Sequence, residues 1–430
     1  MLLLKNCNVV NEDDSFDKVD ILVKDGIIEK IGKDLNIECE TRDFSGLLVT
    51  PGFIDLHVHL REPGFTLKET VRTGTRAAAA GGFTTIFAMP NTNPVPDTPE
   101  RMKANIELAD RDSIINTYFY SAITEGESGK NLVDFEGMKE AGSEWFTDDG
   151  RGVQGASMMN EAMEEVAKLN GVIAAHCEDN DLLQKGYIHK GQYALEHGHR
   201  GISRSVEDVQ IARDILMAGD TGCRYHICHM STFRGVDLLR DGIKWGYKVS
   251  GEVTPHHLLL SEKDLSEDGN FKMNPPIREE KDRLALIEGL KDGTIAAIAT
   301  DHAPHTEAEK TRGLELSAFG ITGLETAFPL LYTHLVKPGT IKLYTLVNAL
   351  TKGPAGIYGL KTGELKVGMP ADITAIDLNE GFTVDKAKHQ SMGRNTPFHG
   401  WKSVCSIKHV ILNGKFILED KIILEAVHGE

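Results

Sequence analysis

The chain carries 17 histidines in 430 residues, and their placement narrows the chemistry. Asp55-Leu56-His57-Val58-His59 sets two of them at i and i+2. In a β-strand such residues share a face, with Cα atoms about 6–7 Å apart, so both imidazoles can grip one cation. The alternative is two unrelated histidines in a core, which an apolar core rarely holds side by side. Two more histidines close apolar runs, in Ala174-Ala175-His176 and Ile227-Cys228-His229, and Ala299-Thr300-Asp301 ends a run on a carboxylate. A lone histidine at a strand end is more often structural. Four of them with an aspartate suit zinc or a similar divalent ion. Two ions in contact need a bridging anion, which Thr147-Asp148-Asp149 offers. Alternation lets only one of these aspartates face inward, and Asp-Asp-Gly is also a common turn.

Bringing these residues to one mouth requires a closed scaffold. Eight apolar runs read as strands: 53–60, 83–89, 115–122, 144–149, 172–177, 223–230, 247–253 and 295–300. Helical patterns lie between them, including 67–80, 99–111, 156–169, 206–217 and 281–290. Alternation of this kind over roughly 250 residues predicts an α/β fold, a parallel (β/α)8 TIM barrel whose active site forms at the carboxyl ends of the strands. Both chain ends read differently. Asn8–Val10, Val19–Val23 and Ile27–Ile31 at one end, and Leu365, Val367, Ile373–Ile376, Val404–Ile407 and His409–Leu412 at the other, are strand-like, with hairpin signals at Lys24-Asp25-Gly26 and Asn413-Gly414. They predict a small flanking, β-sandwich-like domain of residues 1–50 and 360–430, with residues 51–359 as the barrel.

Composition sets outer limits. The chain is 40% hydrophobic and 26% charged, as in ordinary globular proteins, which excludes disorder as its main state. A net charge of −17 argues against a nucleic-acid or anionic-membrane surface and requires a locally positive pocket if the substrate is an anion. The apolar run Met1–Leu4 is too short for a signal peptide, and no run reaches the ~18 residues of a membrane span. Six cysteines without a CxxC pair predict reduced thiols in a cytoplasmic protein.

Two long segments, Asp55-Leu56-His57-Val58-His59-Leu60-Arg61-Glu62-Pro63 and Ala299-Thr300-Asp301-His302-Ala303-Pro304-His305 with Lys310, resemble the signature segments of dihydroorotases, members of the amidohydrolase superfamily. The resemblance runs through the flanking domain to Gly363–Asp372. Arg61 and Asn274-Pro275-Pro276-Ile277-Arg278 sharpen it toward the bacterial class I enzymes. Many superfamily members bridge their metals with a carboxylated lysine on the fourth strand. Here Gly142–Asp149 contains none, and Thr147 falls near its place. Asp149 resembles the aspartate that class I dihydroorotases use, which weighs against hydantoinases and allantoinases.

The resemblance implies reversible cyclisation of N-carbamoyl-L-aspartate to L-dihydroorotate in pyrimidine biosynthesis. It implies two Zn2+ per subunit, bridged by Asp149 and a hydroxide, with His57, His59 and Asp301 on one ion and His176 and His229 on the other. Asp301 is the implied catalytic residue, exchanging a proton between the attacking water and the leaving nitrogen. The implied substrate contacts are His59, Arg61, Asn91, Asn274, His305, Phe319 and Gly320. Arg61 would fork onto the substrate carboxylate; its bland alternative is a solvated or salt-bridged arginine. The implied partner is a small molecule, with a homodimer and association with aspartate transcarbamoylase left open. The rival functions are an inactive dihydroorotase-like partner of that transcarbamoylase and a related cyclic-amide hydrolase.

Other residues receive plainer expectations. His226 and His302 should face away from the site by alternation, as should Cys177 and Cys228. His256 and His257 stay outside the ligand set, and His189, His197 and His199 should be solvated. The long loop from His305 to Gly320 is expected to act as a gate.

Overall fold

A computed structural model describes residues 1–424 of the chain. Eight parallel strands occupy the eight predicted runs: Phe53–Val58, Phe83–Ala88, Asn116–Phe119, Trp145–Phe146, Val172–Ala175, Arg224–Ile227, Val249–Val253 and Ala297–Ile298. The first three pair as one sheet and the other five as another. Two parallel bridges, Ser121 to Phe146 and Val58 to His302, join the sheets into a ring. Asp55 strengthens the second seam by accepting hydrogen bonds from the backbone and side chain of Thr300. The fold is therefore the (β/α)8 barrel with a β sheet beside it.

Two apolar layers follow from strand alternation. Ile54, Leu56, Phe87, Val172, Ala174, Cys228, Ala297 and Ala299 pack inside the ring with Tyr120 and Tyr358. Phe53, Val58, Phe83, Ile173, Ala175 and Ile227 face outward and pack with helical residues such as Ala78, Met163 and Ile211. Helices Pro99–Asp112, Ala156–Lys168, Ser205–Thr221 and Glu280–Lys291 match the sequence expectation closely, and Phe233–Lys244 adds another. The expected helix from Leu67 begins only at Val71. Thr70 is extended and caps it, its side chain accepting from Thr73 N, so the turns before it cannot be helical.

Strands from both chain ends form one nine-stranded sheet. Leu2–Val10 pairs antiparallel with Phe16–Lys24, which pairs with Ile27–Gly32 across the Asp25-Gly26 turn. Leu48–Pro51 pairs antiparallel with Ile373–Asp377, which continues the sheet to Ser406–Leu412 and Lys415–Glu419. Asn413 and Gly414 turn the chain between the last two of these strands with φ of +48° and +76°, the geometry an Asn-Gly turn supplies. Leu365 and Val367 are not in a strand. Gly363 and Gly368 turn the chain at φ of +88° and +89°, and Val367 is exposed. Val404 and Cys405 also leave the ladder: their amides bond to the Thr333 and Ser403 hydroxyls, and the strand starts at Ser406.

Candidate metal centre

The site lies where the barrel strands end, and local departures from regular strand geometry build much of it. Ile54 and Leu56 face the barrel interior, so unbroken alternation would turn His57 outward. Instead the first strand carries one extra residue between the pairs Asp55–Ile86 and Val58–Ala88. This bulge re-aims His57. The strand stops at Val58, and Arg61 reaches the same mouth through a turn at φ +63°. His229 and Asp301 also have left-handed backbones, at +34° and +48°. Such conformations cost of order 1–3 kcal/mol each for non-glycine residues and concentrate at functional sites.

Six buried side chains converge there: His57, His59, Asp149, His176, His229 and Asp301. Asp149 Oδ1 is 3.3 Å from His57 Nε2, 3.8 Å from His229 Nε2 and 3.9 Å from His176 Nδ1. Its Oδ2 is 3.6 Å from His59 Nε2. Asp301 Oδ1 lies 3.1 Å from His59 Nε2 and 3.6 Å from His57 Nε2. Ligand-type atoms cluster tightly in two overlapping sets, His57, His59, Asp301 and His57, Asp149, His229. His176 stands slightly apart, its Nδ1 turned to His229 Nε2 at 2.9 Å. His57 Nε2 and Asp149 Oδ1 have no hydrogen-bond partner although both are buried. Leaving such atoms unsatisfied is costly, and a divalent cation would satisfy both together.

The charges are interdependent. Burial would push the Asp149 carboxyl up, but His57, His229 and His59 outweigh it and hold it well below its ordinary range. Burial would pull His57 down, yet Asp149 and Glu252 hold it well above its ordinary value. Asp301 is likewise kept ionised against burial, by His59 and His57. Burial and Arg61 lower His59.

The residues around this cluster fix its orientation. His57 Nδ1 meets Glu252 at 3.1 Å and His59 Nδ1 meets Asn91 Oδ1 at 2.9 Å, which leaves both Nε2 atoms for the centre. Asp148 faces away from it, as alternation required. It accepts from the amides of Ile123 and Thr124 and from the Thr124 hydroxyl, locking the third and fourth strand ends together.

A cavity of about 180 Å³ opens above the cluster. It is lined by His59, Arg61, Asn91, Asn274, His305, Phe319 and Gly320, together with Asp149, His176, His229 and Asp301. Every expected substrate contact thus meets the cluster in one space. Arg61 donates from Nε to Pro304 O at 3.2 Å, and among the described residues no carboxylate pairs with it. Burial lowers its guanidinium to about 10, still cationic at neutral pH. Burial, Arg61 and Lys68 lower His305 to about 3, so its ring is neutral. Its Nε2 donates to Phe319 O at 2.7 Å, and its Nδ1 faces Lys68 Nζ at 3.5 Å.

Some expectations need correction. Cys228 points into the barrel, with the His57 and Glu252 ligand atoms close by, and His226 bonds to Glu252 in the same interior. Both follow alternation within the strand; the change of backbone at His229 is what brings His229 to the same side. Cys177 does face outward, toward the Tyr225 hydroxyl, and His302 turns from Asp301 to Glu69. His189 is buried against Arg278 rather than solvated, while His197 is exposed and His199 pairs with Glu267. The 305–320 loop holds two short helices, Glu307–Lys310 and Gly313–Leu316. Buried Lys310 pins it by donating to the carbonyls of Lys272, Ala318 and Gly320. Glu252 was missed, although a carboxylate inside the apolar run 247–253 was a visible signal. Glu178, which accepts from Asn274 Nδ2 at 2.6 Å, gave no such signal.

Residues 46–234 match the dihydro-orotase-like family model, and residues 285–418 match the amidohydrolase family model. A dihydroorotase of Bacillus cytotoxicus is 52% identical over 417 residues, covering 96% of this chain and 97% of the relative. A dihydroorotase of Halalkalibacterium halodurans is 51% identical over 421 residues, covering 97% and 98%. Among solved structures, the L-hydantoinase (dihydropyrimidinase) of Arthrobacter aurescens superposes with a TM-score of 0.90 at 26% identity, covering 99% of this chain and 97% of that one. The dihydropyrimidinase of Brevibacillus agri, at 22% identity and a TM-score of 0.86, shares the fold; it covers 98% of this chain and 96% of its own.

Proposed function

The chain belongs to the dihydroorotase family, and from that membership and the site we propose that it interconverts N-carbamoyl-L-aspartate and L-dihydroorotate. The amidohydrolase match implies a divalent metal. Two zinc ions suit the donor set: His57, His59 and Asp301 for one, His176 and His229 for the other, and Asp149 between them. A divalent metal held there would supply a nucleophile at neutral pH, by lowering the pKa of water toward 7, and would polarise the amide carbonyl.

The protein's own groups account for the rest. Asp301 turns Oδ1 to His59 and lines the cavity, so its carboxylate can take a proton from the attacking water and return it to the leaving ring nitrogen. In ring closure the same carboxyl gives its proton back to oxygen as water departs. Arg61 takes the ring carboxylate, and His305, whose ring lies 3.3 Å from that guanidinium, lines the cavity with Phe319 and Gly320. Glu178 accepts from Asn274 Nδ2, leaving the Asn274 oxygen for a substrate N–H. The same reading divides the chain into a β domain, residues 1–50 and 360–424 (the expected stretch 425–430 lies outside the described residues), and a catalytic barrel, residues 51–359.

The observation that carries this assignment is Arg61, a half-buried cation in the cavity with no carboxylate partner among the described residues. A general cyclic-amide hydrolase has no use for it; a substrate bearing a ring carboxylate does. The direct test follows both directions of the reaction as pH is varied. Ring opening creates a carboxylate and releases a proton, so the equilibrium should move toward L-dihydroorotate by about tenfold per unit fall in pH, about 1.4 kcal/mol. No conversion in either direction by metal-loaded protein would reject the assignment.

A further inference from the structure

Glu252 lies at the centre of the barrel, fully buried on the seventh strand. Its Oε1 is 3.1 Å from His57 Nδ1 and 3.3 Å from the main-chain N of His229. Its Oε2 is 3.1 Å from His226 Nε2, and the other nitrogen of that ring reaches Ser250 Oγ at 2.9 Å. One carboxylate therefore touches the first, sixth and seventh strands together. A carboxylate can only accept, so the protons of His57 and His226 must face it. With its proton on Nδ1, His57 presents a lone pair at Nε2, the atom that faces Asp149 Oδ1 at 3.3 Å.

We propose that Glu252 is a positioning residue for the metal centre, holding His57 in its Nδ1–H tautomer and tying it to the His229 backbone so that the two sets of ligands keep a fixed spacing. Ser250 and His226 form its outer anchor: the Ser250 hydroxyl donates to His226 Nδ1, which commits His226 Nε2–H to Glu252. His59 has no such device. Its Nδ1 is held by the neutral amide of Asn91 at the mouth. An anionic acceptor raises the basicity of a ligating imidazole more than an amide does. The two histidines of the Asp55–His59 motif are therefore unequal, with His57 the deeper and more strongly held.

This proposal rests on the metal-centre assignment above, and its test separates the two. Glu252→Gln keeps size and shape but offers one acceptor oxygen and one NH2 group. When the NH2 faces His57, the ring must carry its proton on Nε2 and loses the lone pair. Metal affinity is measured by chelator competition on the full-length protein, and the ring nitrogen of His57 that keeps its proton by long-range 1H–15N NMR on the zinc-loaded protein. The expected result is a roughly 10- to 100-fold loss of zinc affinity in Glu252→Gln with an unchanged circular dichroism spectrum. Glu252→Asp, one methylene short, should not restore it. The unsubstituted protein should show the Nδ1–H form of His57, a measurement that stands even if the variants fail to fold. An Nε2–H form there, or unchanged affinity in a folded Glu252→Gln protein, overturns the proposal. Failure of the unsubstituted protein to bind metal would instead overturn the metal-centre assignment.

Discussion

Replacing Arg61 by methionine removes the cation but keeps much of the side-chain bulk. The guanidinium donates through Nε to Pro304 O, one of its NH2 groups lies 3.3 Å from His305 Nε2, and its fork has no carboxylate partner among the described residues. The unspent donors are therefore those that would meet the substrate. A charge-assisted pair of this kind contributes about 1.5–3 kcal/mol, roughly ten- to a hundredfold in binding. The informative quantity is the ratio of kcat/KM for L-dihydroorotate to that for dihydrouracil, which lacks the carboxylate. Arg61→Met should erase most of this ratio by losing activity on L-dihydroorotate alone. Metal content should not change, because Arg61 touches none of the six clustered residues at hydrogen-bond distance. Stability gives an independent reading. Burial lowers the Arg61 pKa to about 10, so the cation is destabilising at neutral pH, and the variant should melt at a higher temperature. A retained substrate preference together with a lowered melting temperature would assign Arg61 a structural role and remove it from recognition.

The other predictions concern the bridge, the loop and pH. Apoprotein reconstituted with zinc in carbon-dioxide-free buffer should recover fully, since among the described residues no lysine lines the cavity with Asp149; a strict bicarbonate requirement would exclude Asp149 as the bridge. Asp149→Ala should lower metal stoichiometry, whereas Asp148→Ala should lower the melting temperature, because two backbone amides lose a buried acceptor at about 1–3 kcal/mol each. Lys310→Met should raise KM and speed proteolysis within 305–320 by removing the donor to Ala318 O and one of the two donors to each of Lys272 O and Gly320 O, which keep the Gly320 amide and Asn395 Nδ2; unchanged values would show that the Phe319-Gly320 wall holds without it. Burial, with Asp148 and Asp149, raises the Glu127 carboxyl to about 8. The folded state then keeps a proton that the unfolded chain releases above its ordinary range near 4.5. Stability should therefore fall as pH rises from about 4.5 to about 8, and Glu127→Gln should flatten that slope in urea titrations at pH 5.5 and 8.

The barrel was legible because its apolar runs and helical periods are regular, and helices such as Ala156–Lys168 end within a residue of expectation. The ligand types were legible because imidazoles and carboxylates at strand ends are conspicuous in apolar sequence. What failed was extrapolation of the two-residue period past the point where a strand stops. The bulge before Val58 and the left-handed backbones of Arg61, His229 and Asp301 each redirect a side chain, and neither a bulge nor a positive φ is written in these residue types. Cys228 and His226 were placed on the wrong side for that reason. Glu252 shows the complementary limit. Its charge was visible, but its partners are His57, His226 and His229, and only the closed ring makes them neighbours.

The most direct measurement is ring opening of L-dihydroorotate and of dihydrouracil by one preparation, before and after chelation, with metal content determined on each sample. Opening of L-dihydroorotate should vanish with the metal, return with zinc in proportion to occupancy, and exceed opening of dihydrouracil by at least tenfold. Equal rates on the two substrates, or activity that survives complete loss of metal, would contradict a carboxylate-reading, metal-dependent dihydroorotase.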